Sequence, residues 1–188
     1  MAGKKHPASP LAVDILRLGR RPGSMIEVHE TIPAPARIGL DLIRIEKGAP
    51  LELDLRIESV SEGALVTGTV SGPTTGECVR CLEPVTGDVS IDLTELFAYP
   101  GSTTEETTEE EEISRVIDDR VHLEQAIVDA VGLVLPFSPV CREDCAGLCP
   151  DCGAALADAE PGHAHDKIDP RWAKLAALKD QAGDVSDG

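Results

Sequence analysis

The sequence has little of three things: aromatic side chains, positive charge and long apolar runs. Of its 188 residues, two are phenylalanine, one is tyrosine and one is tryptophan. These are too few to stack the successive bases of single-stranded RNA. Thirty-four acidic residues stand against seventeen basic ones, for a net charge of −17. This balance excludes a protein that coats nucleic-acid phosphates with Lys and Arg.

No apolar run reaches the roughly 18 residues that a membrane-spanning helix requires, so we predict no membrane partner. The start, Met1-Ala-Gly-Lys-Lys-His-Pro, carries charge but has no apolar segment behind it. We therefore expect no secretory signal and a cytoplasmic location. In that reducing compartment, cysteines bind metals or catalyse reactions more often than they form disulfides.

The first 24 residues are predicted to form a flexible basic arm on an acidic body. The charged residues of this arm are Lys4, Lys5, Asp14, Arg17, Arg20 and Arg21. An arm of this kind either contacts its own acidic body or reaches an anionic partner. Arg17, Arg20 and Arg21 are therefore candidate contacts to RNA or to a protein partner.

The remainder, residues 25–180, is predicted to be a single α+β domain. Period-two alternation, clearest from Leu51 to Ile57, predicts a small antiparallel β meander or open barrel over residues 26–99. The Glu-rich run at 101–112 has no apolar residue to bury, so we expect a disordered acidic loop there.

Two helices and a metal-binding segment are predicted in the second half. Apolar residues at helical spacing predict a long helix over about 119–135, capped by an aspartate at its start. A Cys/His zinc segment follows at 141–168. A short helix over 170–179 begins at an Asp-Pro pair, and residues 181–188 are predicted to be a disordered tail.

Six cysteines and two histidines supply the ligands for two tetrahedral metal sites. Two of the three cysteine clusters have the Cys-x-x-Cys spacing that lets both thiolates of a tight turn face one ion. We expect two structural zinc ions per chain, because a closed set of four ligands leaves no position for a substrate water. The first set is Cys78, Cys81, Cys141 and Cys145, and the second set is Cys149, Cys152, His163 and His165.

One alternative is a single all-thiolate site made by the two Cys-x-x-Cys pairs. Cys141 and Cys145 are then free, and the two histidines lie at the surface without a ligand role. The second pair is the stronger signal because Gly153 follows it, and glycine readily adopts the positive φ that turns N–H groups toward sulfur. Leu82 follows the first pair.

The order of these motifs resembles the bacterial YceD family of large ribosomal RNA subunit accumulation proteins. The matching segments are Gly76-Glu-Cys-Val-Arg-Cys-Leu-Glu-Pro84, Asp144-Cys-Ala-Gly-Leu-Cys-Pro-Asp-Cys-Gly153 and Ile168-Asp-Pro-Arg-Trp172. The segment Leu18-Gly-Arg-Arg-Pro-Gly-Ser-Met25 is similar to the forms of high-GC Gram-positive bacteria. One departure is His163-Ala-His165, which stands where many members have Cys-x-Cys, and this exchange preserves zinc chemistry.

The resemblance implies a role in the synthesis, processing or accumulation of large-subunit ribosomal RNA. Together with the acidic composition, it leads us to expect a non-enzymatic ribosome-biogenesis factor that binds basic ribosomal proteins or pre-ribosomal particles. Any ribosomal RNA contact is expected at the basic arm, and no small-molecule substrate is expected. The alternative is a thiol redox protein that uses Cys78 and Cys81, although a reactive pair normally opens a helix and this one is predicted between strands.

Overall fold

The computed structural model describes residues 9–107 and 113–165, and the fold within them is mostly β. The strands are β1 (Ala12–Asp14), β2 (Met25–Pro33), β3 (Ile38–Gly39), β4 (Ile43–Ile45), β5 (Pro50–Ser59), β6 (Gly63–Glu77), β7 (Pro84–Ala98), β8 (Ser114–Arg115) and β9 (Arg120–His122). The helices are α1 (Thr103–Thr107) and α2 (Glu124–Val134). The predicted α+β class is therefore wrong. Among the described residues a seven-stranded sheet replaces the small meander, and the longer helix has only 11 residues.

The sheet is organised around β6, which pairs with β7 along its whole length of 15 residues. On its other side β6 pairs first with β5 and then with β4, and these strands are flanked by β2 and β3 respectively. β6 runs on through Gly72 and Pro73, residues that favour turns, because β7 pairs with both of them. Pairing with a long partner strand outweighs local propensity here, which is why sequence patterning underestimated the sheet.

The core lies against the alternating face of β5, where Leu51, Leu53, Leu55 and Ile57 are at most 4% exposed. Helix α2 packs on β7 and β3 and buries Ile127 and Val131 in the same core. Burying each of these aliphatic side chains contributes roughly 1.5–3 kcal/mol. The core is accordingly aliphatic, as the shortage of aromatic residues predicts.

Helix α2 begins later than the predicted residue 119. Asp118 and Asp119 adopt positive φ values of 51° and 55°, so they form a turn and cannot cap a helix. The chain next forms β9, and α2 then starts at Glu124 with no side-chain cap at Leu123. The carboxyl side chains that suggested a cap therefore belong to a turn, which short polar residues also favour.

Residues 9–24 are ordered and packed, which corrects the predicted flexible arm. β1 pairs with β9 in register from Ala12 to Asp14. Leu11, Ile15 and Leu18 are between 0 and 5% exposed and belong to the core. Their burial holds the segment on the sheet, and only residues 1–8 of the predicted arm lie outside the described residues.

The chain divides into two compact units, one ending at Cys145 and the other beginning at Ala146, so the predicted single domain over 25–180 is not observed. Within the predicted acidic loop, residues 103–107 form α1, and residues 108–112 lie outside the described part. The predicted helix over 170–179 and the predicted tail over 181–188 also lie outside it.

Candidate metal centres

The first candidate centre joins the turn between β6 and β7 to the segment that follows α2. Its ligand atoms, the Sγ atoms of Cys78, Cys81, Cys141 and Cys145, all lie within 4.8 Å of one another. The Cys78 and Cys145 sulfurs are 3.8 Å apart, and the Cys81 and Cys141 sulfurs are 3.6 Å apart. Four sulfurs at these distances enclose a position for one ion. This group therefore brings together two segments that are about 60 residues apart in sequence.

Hydrogen bonds from the backbone and from the Arg80 side chain hold the Cys78–Cys81 turn in place. The N–H of Val79 donates to the carbonyl of Pro139 at 2.9 Å, which fixes the turn to the segment carrying Cys141. The guanidinium of Arg80 donates to the carbonyls of Glu143 and Cys145, both at 3.0 Å. Arg80 is a structural residue that sequence reasoning missed. Its position between two ligand cysteines was the available signal.

The sulfurs of the first centre differ in their affinity for protons. Burial raises the pKa of the Cys78 thiol, but the backbone N–H groups of Cys141, Cys81 and Arg80 outweigh burial and lower that pKa to about 6. Hydrogen bonding to the sulfurs of Cys145 and Cys81 favours the protonated form of Cys141 and raises its pKa to about 12. Four thiolates therefore repel one another strongly unless a cation lies among them, and metal binding must release protons.

The residue after each Cys-x-x-Cys pair has a positive φ and the same hydrogen bond, although only one of the two residues is a glycine. Gly153 has φ of 72° and donates its N–H to the carbonyl of Cys149 at 2.8 Å. Leu82 has φ of 63° and donates to the carbonyl of Cys78 at 2.9 Å. The absence of glycine after the first pair thus weakened the sequence signal without changing the geometry.

Leu82 carries backbone strain that glycine would remove. Its side chain is 63% exposed, so substitutions there change the backbone conformational energy more than they change packing. We expect Leu82→Gly to keep the metal and to leave the free energy of unfolding within about 0.5 kcal/mol, because relief of strain and the added chain entropy offset each other. Leu82→Val should destabilise the protein by about 1 kcal/mol, since branched side chains tolerate positive φ poorly.

Urea unfolding monitored by circular dichroism measures both changes. Leu82→Ala is the matched control, because it shortens the exposed side chain and keeps the positive φ. If Leu82→Val proved as stable as Leu82→Gly, the turn would not require the left-handed conformation.

The second candidate centre lies within the second unit. The donor atoms of Cys149, Cys152, His163 and His165 lie within 4.8 Å of one another. The Nε2 atoms of the two histidines are 3.1 Å apart, and they lie 3.4 Å and 3.2 Å from the sulfur of Cys152. The two rings are nearly perpendicular, at 84°, so both nitrogens converge on one position from different directions.

A short turn positions the cysteines of this centre. The N–H of Cys149 donates to the carbonyl of Ala154 at 2.8 Å. The backbone N–H groups of Cys152 and Asp151 lower the pKa of Cys149 to about 6, outweighing the opposite effect of burial. Cys149 is buried, whereas Cys152 and both histidines are exposed. This centre is therefore local and open to solvent on one side.

The structure brings the eight predicted ligands together in the two groups of four that the spacing predicted. The alternative of one site built from both Cys-x-x-Cys pairs is wrong, because each pair belongs to a different group. The exposed candidates Arg17, Arg20 and Arg21 lie in the first unit and outside both groups. The guanidinium of Arg20 lies over the ring of Tyr99, 5.2 Å from its centroid.

The fold and these centres define a β-sheet protein with two separate groups of metal-ligand residues. Residues 66–179 match the family described as "Large ribosomal RNA subunit accumulation protein YceD". The chain belongs to this family. The matched range includes all eight candidate ligands.

Similar proteins occur in mycobacteria. An uncharacterized protein of Mycobacterium tuberculosis H37Rv is 64% identical over 185 residues, which cover 98% of this chain and 89% of that protein. An uncharacterized protein of Mycobacterium leprae is 58% identical over 175 residues, which cover 93% of this chain and 80% of that protein. No solved structure matches the chain. Among the described residues, no helix is long and apolar enough to cross a membrane.

Proposed function

We propose that this protein is a non-enzymatic factor that supports the accumulation of large-subunit ribosomal RNA and is stabilised by two structural zinc ions. The observation that carries the function is the match of residues 66–179 to the family named for that role. The factor acts by binding basic ribosomal proteins or pre-ribosomal particles, since a chain of net charge −17 attracts Lys- and Arg-rich segments.

The chemistry and spacing of the donor atoms support zinc. A tetrahedral zinc ion with Zn–S bonds of about 2.3 Å holds its sulfurs about 3.8 Å apart. The sulfur separations in the first group are 3.8 and 3.6 Å. Four thiolates, or two thiolates with two imidazoles, are the ligand sets of structural zinc sites. Zinc would supply the positive charge that lets the thiolates lie together, and it would fold the segments that carry them.

The alternative is a thiol redox protein that uses Cys78 and Cys81. The lowered pKa of Cys78 favours the thiolate that disulfide exchange requires. However, the Cys78 side chain is fully buried, whereas an exchange thiol must reach its substrate. Metal analysis and thiol titration of the purified protein separate the two functions. Two zinc ions per chain with masked thiols support the assembly factor, and no zinc with a Cys78–Cys81 disulfide supports the redox protein.

Depletion of the protein tests the proposed function in cells. We expect the ratio of large-subunit to small-subunit ribosomal RNA to fall, and a pull-down to recover ribosomal proteins. Recovery should decrease as salt rises above physiological strength, where the Debye length is about 8 Å and charge attraction is screened. An unchanged RNA ratio after depletion would exclude the function. Capture that is insensitive to salt would instead indicate an apolar docking surface.

A further inference from the structure

Strand β2 is an edge of the seven-stranded sheet, and one side of its backbone is open. Its partner within the described residues is β5, in register from Met25 opposite Glu58 to Pro33 opposite Pro50. Two backbone hydrogen bonds lie just beyond the ends of this ladder, each 2.9 Å long. The N–H of Ser59 donates to the carbonyl of Ser24, and the N–H of Ala34 donates to the carbonyl of Ala49.

Hydrogen bonding alternates along an antiparallel pair, so the residues with even numbers turn their backbone groups toward β5. Met25, Glu27, His29 and Thr31 therefore direct their N–H and C=O groups outward. No described residue forms a hydrogen bond with these outward groups. The edge is thus a template for one more strand.

A groove of about 630 Å³ runs beside this edge, between β2 and residues 10–17. Val13 and Leu16 contribute to one side, and Ile26 and Val28 contribute to the other. Leu16 is 67% exposed, although water contact with such a side chain is unfavourable. The groove therefore offers apolar side chains on both of its sides to an added strand, next to charged groups.

Carboxylates dominate the charge around the groove. Asp14, Glu27 and Glu30 line it, and Arg17 is the cation among its lining residues. A second copy of β2 would bring Glu27 and Glu30 against like charges, which is destabilising for directly opposed strands. A nucleic-acid strand would meet the same repulsion at its phosphates. A segment rich in Lys and Arg is complementary to the groove.

We propose that β2 binds an extended segment of a basic protein, in which apolar residues alternate with Lys or Arg, as an additional antiparallel or parallel strand. The apolar side chains enter the groove on the face of Ile26 and Val28, and the cations lie on the opposite face, where Glu27 and Asp54 flank His29. Asp14 and Glu30 add to the negative potential that attracts the segment. Backbone pairing provides affinity, and the groove and charges provide specificity. This proposal depends on the proposed function in one respect, which is that the bound segment comes from a ribosomal protein.

Binding of a synthetic peptide tests the site in isolation from the cellular role. The probe is a fluorescently labelled peptide of about seven alternating Lys and Val residues, long enough to pair with Met25 to Thr31. We expect saturable binding, with affinity at least about tenfold lower when Glu replaces Lys or when alternate backbone nitrogens are methylated. Equal binding of the methylated peptide would exclude strand addition.

Variants of the protein locate the site. His29→Pro removes an outward N–H and leaves the ladder to β5 intact, so we expect affinity to fall roughly fivefold to tenfold. The matched control His29→Ala keeps the N–H but loses the contacts of His29 with Glu27 and Asp54. It should bind almost normally. Equal affinities of the Pro and Ala variants would overturn the proposal.

Charge reversal is a second test, and it does not require that β2 tolerate a proline. The double variant Glu27→Lys and Glu30→Lys should lose at least about tenfold in affinity. The control double variant Asp88→Lys and Asp92→Lys changes the net charge equally on β7, at the other side of the sheet. Equal losses in both would indicate nonspecific attraction and contradict the site. Direct binding of a labelled single-stranded RNA oligonucleotide that weakens when Arg17 is replaced with Ala would assign the groove to RNA instead.

These outcomes are separable from the proposed function. A peptide that fails to bind, together with a fall in large-subunit ribosomal RNA after depletion, would exclude the groove and keep the function. A peptide that binds, together with an unchanged RNA ratio, would keep the groove and exclude the function.

Discussion

Replacing Cys78 with Ser is expected to loosen the first unit broadly, whereas Cys149→Ser loosens only the second unit. Cys78 is fully buried at the end of β6, and its neighbour Glu77 donates to the carbonyl of Leu42 at 3.0 Å beside β4. Loss of this ligand should lower metal affinity at the first centre at least about 100-fold, since even outer partners of a metal ligand contribute 10- to 100-fold. The effect should spread along β6 and β7, because the turn between them is held by that centre.

Hydrogen exchange resolved along the chain measures this difference. In Cys78→Ser we expect faster exchange at the 78–83 turn, in the adjoining ends of β6 and β7, and over residues 136–145. In Cys149→Ser the increase should be confined to residues 146–165. Identical patterns in the two variants would contradict the assignment of the ligands to separate centres.

Cys81→Ser is the control that separates metal ligation from core packing. Cys81 is only partly buried and Cys78 is fully buried, so the two residues differ as packing elements but are equal as ligands. If the first group binds a metal, both serine variants should lose it and loosen the same residues. If Cys81→Ser left hydrogen exchange unchanged while Cys78→Ser increased it, Cys78 would act only as a small buried side chain.

The metal groups could be predicted from the sequence because their signal is local. Two thiolates separated by two residues, or two imidazoles separated by one, reach one ion from a single turn. The count of eight donors then divided naturally into two sets of four. The contribution of Arg80 depends on carbonyls more than 60 residues away. The position of Arg80 between two ligand cysteines marks it as part of the turn, but it does not identify these two acceptors.

The sheet was harder to predict because its longest pairing is set by tertiary contacts. β5 alternates regularly, and the sequence identified it. The second half of β6 contains Gly72, Pro73 and Gly76, whose local preference is for turns, and it is a strand because β7 lies beside it. The N-terminal segment was misjudged for a similar reason. Leu11, Ile15 and Leu18 belong to a short apolar stretch that Asp14 and Arg17 interrupt, and only the core beneath them shows that they are buried.

That correction changes what the N-terminal arginines can do. Arg17, Arg20 and Arg21 are exposed, while Leu18 between them is buried and anchors the segment. None of the residues that the structure describes forms an ion pair with these three guanidinium groups. Cations fixed on an ordered segment lose less conformational entropy on binding than cations on a flexible tail. We therefore predict that any phosphate contact of this protein is made at these three arginines.

Replacing Arg17, Arg20 and Arg21 with Ala is expected to flatten the salt dependence of binding to large-subunit ribosomal RNA precursors. Each phosphate contact contributes a slope of roughly 0.7 to 0.9 in log affinity against log salt, so the triple variant should lose about two units of slope. Arg20 also lies over Tyr99, and loss of that contact costs about 0.5–1 kcal/mol of stability. Thermal unfolding must accompany the binding curves, so that a partly unfolded variant is recognised.

A second triple variant provides the control with the same change in net charge. Arg37, Arg44 and Arg56 are each paired with a carboxylate, those of Asp41, Glu46 and Glu58 respectively. Their replacement with Ala removes three positive charges that are already neutralised nearby, so the slope should change little. If both triple variants flatten the slope equally, the RNA senses only total charge. If neither does, the arginine segment is passive toward RNA, and any effect on ribosomal RNA must act through a protein partner.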